Sequence, residues 1–309
     1  MTAAASQDNV INVDAKTLRL ANIRPANGKD VLTAFALVIL TALVLSDAWI
    51  SIAQIAWAHE EQGYVLLAPM MVAWLLYIRK EEFAACRARG GWLGLLILAA
   101  GLFVYWYGFN VDPVLWRAGA VLAVVGAAVT AVGRDVFYRF LPAFAACVFF
   151  IPISPNGRYR LAVPLQEATA HATQTACDLL GIDVDRAGSV LSINGVDVQV
   201  AEACNGMRMV ITLFLVCYVV AVTVPLRWWI RVLFLAASPI VAIVCNVVRL
   251  VPTVWLFGNY SHATAELFHD ISGWGMSLVA FFILLGFCWV LQRMTSPGTP
   301  ASAKEGTKT

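Results

Sequence analysis

Charge is what this sequence has least of. Lys, Arg, Asp and Glu supply only 13% of its 309 residues, against 61% hydrophobic. A soluble domain is about a quarter charged, because ions cover its surface; so few ions exclude a soluble chain of this length. Net charge is only +2, and no basic stretch is interleaved with aromatics, so nothing points to a nucleic-acid partner. Seven cysteines are an odd number, scattered mostly through apolar runs, and no disulfide framework is legible. There is no internal repeat, no metal-ligand spacing and no cofactor motif.

What is present is long apolar runs. A helix needs about 20 apolar residues to cross a bilayer. The runs that meet or approach this are Val31 to Ile50, Gly63 to Ile78, Trp92 to Gly108, Val114 to Val132, Val136 to Ile151, Met209 to Val224, Trp228 to Leu250 and Ile271 to Leu291. The expected fold is therefore all-α and polytopic, with about eight transmembrane helices. The first run is too long for a signal-peptide core and reads as a retained span.

Lys and Arg set the orientation. With the N-terminus inside, the inner segments hold Lys16, Arg19, Arg24 and Lys29, then Arg79, Lys80, Arg87 and Arg89, then Arg134 and Arg139. Arg227, Arg231, Arg293, Lys304 and Lys308 fall on the same side. Only Arg117, Arg158, Arg160, Arg186, Arg208 and Arg249 remain outside. Both termini are thus expected in the cytoplasm.

The domain organisation follows. Residues 1–29 form a polar cytoplasmic segment, 30–292 the transmembrane domain, and 293–309 a Pro-, Gly-, Ser-, Thr- and Lys-rich tail expected to be solvated. One outer connection is long, about 152–203. In it, Leu161, Leu165, Ala168, Ala172 and Leu179 recur at helical spacing, predicting an amphipathic helix from Arg160 to Leu180 on the membrane surface. Two alternating runs, Ser189 to Ile193 and Val196 to Val200, flank Asn194-Gly195 and predict a short β-hairpin.

The hairpin leads directly into Glu202-Ala203-Cys204-Asn205-Gly206-Met207-Arg208. Cys204 stands at the outer N-terminus of a membrane helix, where the dipole and free N–H groups favour a thiolate. Arg208 lies one turn below on the same face, where a cation opposes the dipole and needs a partner such as Glu202 or a bound carboxylate. Packing is the ordinary role of a membrane thiol, and Cys147, Cys217, Cys245 and Cys288 read that way. A disulfide between Cys177 and Cys204 is the other alternative. Asn246 and Arg249 share a face near the outer end of the next run. A guanidinium in a span is costly enough to suggest function, with snorkelling to headgroups as the alternative. His269-Asp270 precede the last run, again outside, whereas His59 and His262 read as solvated. Thiol, guanidinium and imidazole on one side can together attack a carbonyl, hold an oxyanion and move protons.

These residues resemble the exosortase/archaeosortase family of membrane-embedded cysteine transpeptidases. Its cysteine box is matched by Glu202 to Arg208, with Asn205 where relatives usually carry Ser. Its Asn-x-x-Arg box is matched by Asn246 to Arg249, and its histidine box by His269-Asp270. Ile151-Pro152-Ile153, Pro164-Leu165-Gln166, the Gly195 hairpin, and the segment from His59 to Arg79 extend the similarity over about residues 59 to 292.

The resemblance implies an enzyme, with no cofactor, acting on secreted proteins whose C-terminal signal is a short motif, a membrane span and a basic end. It implies Cys204 as the acyl-thioester nucleophile, with Arg249 and His269 as the other catalytic residues. Glu202, Asn205, Arg208, Asn246 and Asp270 would support them or the substrate. Archaeal relatives carry Arg at the third position, so His269 points to the bacterial branch and an inner membrane with the site on its extracytoplasmic face. The acceptor would be an amine of a lipid or glycan, or water. An alternative from another class is a transporter, which favours polar residues near the midplane and broken helices in matching repeats. A non-catalytic assembly subunit is the third reading.

Overall fold

The computed structural model describes residues 28–84, 86, 91–200 and 206–295. Glu202, Cys204 and Asn205 lie outside the described residues, as do most of the N-terminal segment 1–29 and of the tail 293–309. The chain divides into two compact units, Met1–Ser154 and Pro155–Thr309.

The first unit begins with α1 (Gly28–Val44) and α2 (Ser46–Ala58), which meet at Leu45 with a bend of 80°. The expected first span, Val31 to Ile50, is therefore broken. Leu45 leaves helical geometry, and Asp47 lies in the first turn of α2, where a carboxylate suits a fresh helix N-terminus. α3 (Tyr64–Ile78), α4 (Lys80–Ala84), α5 (Trp92–Val111) and α6 (Pro113–Val132) follow. Asp112 alone separates α5 from α6. Its Oδ1 accepts the Val114 N–H at 2.7 Å, with Pro113 in the first turn, the arrangement a helix start prefers.

α5 and α6 pack with their backbones in contact. Gly94, Gly101 and Gly108 recur every seventh residue on α5, opposed by Gly119 and Gly126 on α6. A Cβ on any of the first three would run into the backbone of Thr130, Ala123 or Trp116. Close approach of this kind replaces the hydrophobic effect as the force between helices in lipid.

The expected span Val136 to Ile151 is not one helix. It divides into α7 (Arg134–Arg139), α8 (Leu141–Ala146) and a 3-10 turn, Cys147–Phe150. Pro142 has no N–H to donate to the carbonyl four residues back and is tolerated only where a new helix starts, which is where it stands. The unit closes on a buried amide. Gln62, 1% exposed, donates from Nε2 to the Ile153 carbonyl at 2.9 Å and accepts the Ile153 N–H at 3.1 Å. The Tyr64 hydroxyl donates to the Ile151 carbonyl at 3.3 Å.

The second unit opens with α9 (Pro155–Leu179), which starts five residues earlier than expected. Its faces are inverted relative to a soluble helix. Thr169, Ala170, Thr173 and Cys177 are buried, while Leu161 and Leu179 are exposed. An apolar face turned outward beside a small, polar one turned inward suits a helix lying against lipid.

Three strands, β1 (Asp185–Ala187), β2 (Val190–Ile193) and β3 (Val196–Gln199), form an antiparallel sheet in that order. Asn194 and Gly195 both have positive φ, 53° and 78°, as a two-residue turn between twisted strands requires. Leu191, Ile193, Val198 and Val200 share a core with Ala170, Cys177, Leu250 and Val254.

The unit ends in three long helices, α10 (Gly206–Thr223), α11 (Trp228–Asn259) and α12 (His262–Thr295). Phe234, Ile230, Cys217, Leu284 and Cys288 lie in their common core. Pro239 interrupts α11, and the Ser238 hydroxyl donates to the Leu235 carbonyl at 2.9 Å, the group the proline leaves unpaired. α11 runs nine residues past the expected end at Leu250, and α12 starts nine before Ile271. Protein contacts extend the one, and Ser261 starts the other, its Oγ accepting the Thr264 N–H at 3.4 Å as an N-cap hydroxyl does.

Among the described residues, five helices (α5, α6, α10, α11 and α12) are long and apolar enough to cross a membrane, or six with the bent α1–α2 pair as one span. α3 and Leu141–Phe150 are shorter apolar helices. The chain is a multi-pass, all-α membrane protein. Replacing Gly101→Val should force α5 from α6 and cost about 3 kcal/mol, the upper end for overpacking, because backbone cannot yield. Thermal unfolding in detergent should show the loss, while Gly28→Val, where nothing lies within 4 Å, should leave the midpoint unchanged.

Candidate functional site

Arg249 and Asn246 lie one turn apart on α11. Asn246 is only 2% exposed and Arg249 is half-buried. The Arg249 guanidinium reaches across to α12, where Nη1 would be 2.7 Å from a Cβ at Gly273. Glycine therefore makes the room in which the cation sits. His269 is one turn before Gly273, so it shares that face of α12.

His269 lies within α12 rather than ahead of it, as the sequence suggested. Its Nδ1 is 3.2 Å from Asp270 Oδ1, and the imidazole is 23% exposed against 78% for the carboxylate. A carboxylate beside Nδ1 favours the tautomer protonated there, which leaves Nε2 as a base. That Nε2 is buried and makes no hydrogen bond among the described residues. Asp270 thus stands on the solvent side of the ring, and Nε2 lies on its buried side.

The start of α10 comes to the same helix. Gly206, two residues after Cys204, lacks the Cβ that would stand 3.0 Å from Asn246 Nδ2. Arg208 lies over the Trp274 ring, 5.3 Å from its centroid. An aromatic face offsets part of the cost of a cation at a helix N-terminus. Asn246, Arg249, Arg208, Gly206 and the His269 face of α12 are thus gathered by α10, α11 and α12 alone. Glu202, Cys204 and Asn205 fall between Val200 and Gly206, outside the described residues.

The other thiols are accounted for by packing. Cys86, Cys177, Cys217, Cys245 and Cys288 are buried, Cys147 is partly so, and all six are free. Cys177 is therefore not in a disulfide. Burial, with Asp178 beside it, pushes its thiol pKa up, away from nucleophilic use. Among the described residues, no group of three His, Cys, Asp or Glu could hold a metal.

The profile of the transmembrane exosortase family matches residues 49–286, well over half of the chain. The chain belongs to the transmembrane exosortase family. The family is one of membrane cysteine transpeptidases that act on secreted proteins with C-terminal sorting signals. Neither a curated protein nor a solved structure matches this exosortase-family chain.

Gly273 and Trp274 carry two of the contacts at this site, and composition did not single them out. Gly273 stands four residues after His269, inside Gly273-Trp274-Gly275, and that helical spacing was the available signal. A Gly273→Val substitution should push the guanidinium off α12. Processing of a sorting-signal protein should fall at least about tenfold, near 1.4 kcal/mol of transition-state stabilisation, with the melting temperature in detergent unchanged. Equal activity would show that the Arg249 position does not matter.

Proposed function

We propose that this chain cleaves the C-terminal sorting signals of secreted proteins through a thioester on Cys204 and passes the acyl group to an amine or to water. The observation that carries the reading is the placement of the Arg249 guanidinium in the Gly273 gap, one turn from the inward-facing Nε2 of His269. Asn246 on the same helix touches the start of α10.

The chemistry follows from those groups. His269 Nε2 takes the Cys204 proton, and the thiolate attacks the scissile carbonyl. The Arg249 fork donates hydrogen bonds to the oxyanion; its pKa above about 12 suits it to that role better than to giving up a proton. Collapse breaks the C–N bond, and the leaving amine takes the proton from the imidazolium. The freed tail stays in the bilayer, and an amine or water then attacks the thioester and restores the thiol. Enzyme and substrate both lie in the membrane, which lowers the entropic cost of bringing them together.

The proposal includes the topology: eight crossings counting α1–α2, α3 and Leu141–Phe150, both termini in the cytoplasm, and the site on the outer face of a bacterial inner membrane. Reporter fusions after Ser189 and after Ser261 should both read extracytoplasmic; a cytoplasmic result at either would separate the groups the mechanism joins.

The decisive experiment traps the enzyme–substrate thioester in cells. Cys204→Ala and Cys204→Ser should both abolish it, because a neutral hydroxyl is a far weaker nucleophile than a thiolate. Arg249→Lys should fail as well, having the charge without the planar fork. His269→Arg should be the mildest of the four, because archaeal relatives carry Arg at that position and a thiolate at a helix N-terminus is favoured even without a neutral base; Cys217→Ser and Cys288→Ser should be near wild type. Cleavage by Cys204→Ala at matched abundance would remove the thioester mechanism.

A further inference from the structure

The first unit holds a cation to which its own fold gives no counter-ion among the described residues. Arg117 stands one turn into α6 and is half-buried. Its Nε donates to the Ser51 hydroxyl of α2 at 3.1 Å, and the Trp116 ring lies 5.9 Å from the guanidinium. Nη1 and Nη2 make no hydrogen bond among the described residues, yet both keep accessible surface. Asp112, the acid nearest in sequence, uses its Oδ1 to cap α6 at Val114. One edge of the fork is thus fixed by a neutral hydroxyl while its two terminal nitrogens stay open.

The depth of this group is that of lipid headgroups. α1 packs along α6, and its 17 residues cover about 26 Å, most of the roughly 30 Å of hydrocarbon in a bilayer. α2 then turns away by 80°, so it runs nearly in the membrane plane, across the end of α6 where Ser51 meets Arg117. α6 begins at Pro113, which puts Arg117 about 6 Å below the helix start, within a headgroup layer about 5–8 Å deep. Trp106 and Tyr107, at the same end of α5, are exposed, as is Trp57 of α2; aromatic rings collect at the membrane–water interface.

α2 brings a charge of the other sign to the same place. Ala48, Ile52 and Ala56 are its buried side, and Asp47, Ser51 and Gln54 recur at i, i+4 and i+7 as a polar stripe. Asp47 is exposed, and its carboxylate makes no hydrogen bond or ion pair among the described residues. It lies one turn from Ser51, with Cβ atoms about 6 Å apart. An open carboxylate and an open guanidinium therefore flank one serine at headgroup depth.

We propose that Arg117, Ser51 and Asp47 bind the headgroup of a zwitterionic phospholipid with a primary amine, of the phosphatidylethanolamine class. The two phosphate oxygens take the terminal donors of Arg117, the bidentate match a guanidinium makes with phosphate. The ammonium, two carbons further along the headgroup, reaches Asp47. A choline headgroup has the phosphate and the charge but no N–H for the carboxylate. An anionic headgroup without an amine gains nothing from Asp47 and is repelled by it. The bound lipid also ties α2 to α6 at the point where the first span is broken. This site goes beyond the transpeptidase reading and does not rest on it, since all its residues are in the first unit.

The test uses the full-length protein, stripped of lipid in an uncharged detergent, with bound lipid counted by native mass spectrometry. Phosphatidylethanolamine, phosphatidylcholine and phosphatidylglycerol of the same chains are titrated against wild type, Asp47→Asn and Arg117→Gln. Wild type should take phosphatidylethanolamine about fivefold more tightly than phosphatidylcholine, the upper range for an exposed ion pair. Asp47→Asn should bring the two within about twofold and strengthen phosphatidylglycerol. Arg117→Gln should weaken all three lipids by about fivefold or more. If Arg117→Gln no longer unfolds cooperatively, the exposed Asp47→Asn decides alone. Equal binding of the ethanolamine and choline lipids by wild type overturns the site, as does a preference that Asp47→Asn leaves intact. Glycerophosphoethanolamine, the same headgroup without chains, should compete only in large excess. Competition at equal concentration would assign the site to a soluble phosphate compound and overturn the lipid proposal.

Discussion

The contact on which the second unit depends is between a strand and a helix. Ile193, the last residue of β2, fills the space where Gly258 of α11 has no side chain; a Cβ there would stand 2.7 Å from Ile193 Cγ2. Asn194, at the turn, donates to the Gly258 carbonyl at 3.1 Å. Because the turn is pinned, β3 runs back in a set register and delivers Val200 to the buried core beside Leu250. The chain leaves the sheet there and enters α10 at Gly206. A slip of one residue would turn Leu191, Ile193, Val198 and Val200 away from that core.

The same device recurs along α11. Gly258 admits Ile193, Gly206 admits Asn246, and Gly273 admits the Arg249 guanidinium. Each glycine removes a Cβ where a neighbouring side chain must come close. α11 is thereby keyed to the sheet, to α10 and to α12. Glycines also hold α5 against α6, but there they bring backbone to backbone, whereas around α11 they make room for particular side chains.

Polar groups placed this way are costly unless they have work to do. Buried amides and guanidinia lose hydration, and apolar packing of the same volume would suit stability as well. Gln62 in the first unit repays its burial with two hydrogen bonds to Ile153. Asn246 Oδ1 and His269 Nε2 have no such partner among the described residues.

The long apolar runs by themselves determined that the chain is helical and crosses a membrane, because hydrocarbon leaves the backbone no other way to pair its N–H and C=O groups. The boxes at Glu202 to Arg208, Asn246 to Arg249 and His269-Asp270 determined the family. Tertiary structure decided what runs of hydrophobicity average over. Hydropathy has no term for a helix start at Ser46-Asp47 or for Pro142, so two spans expected to be continuous are broken. It stops at the edge of the apolar run, so it missed α11 continuing to Asn259 and α12 beginning at His262, where protein contacts and the Ser261 cap take over from lipid. Periodicity found the apolar face of α9 but not which side the protein covers; the Thr169–Thr173 face packs inward, and Leu161 and Leu179 remain outside. The room at Gly206 and Gly273 is invisible in sequence, because a missing Cβ matters only once another helix has been laid against it.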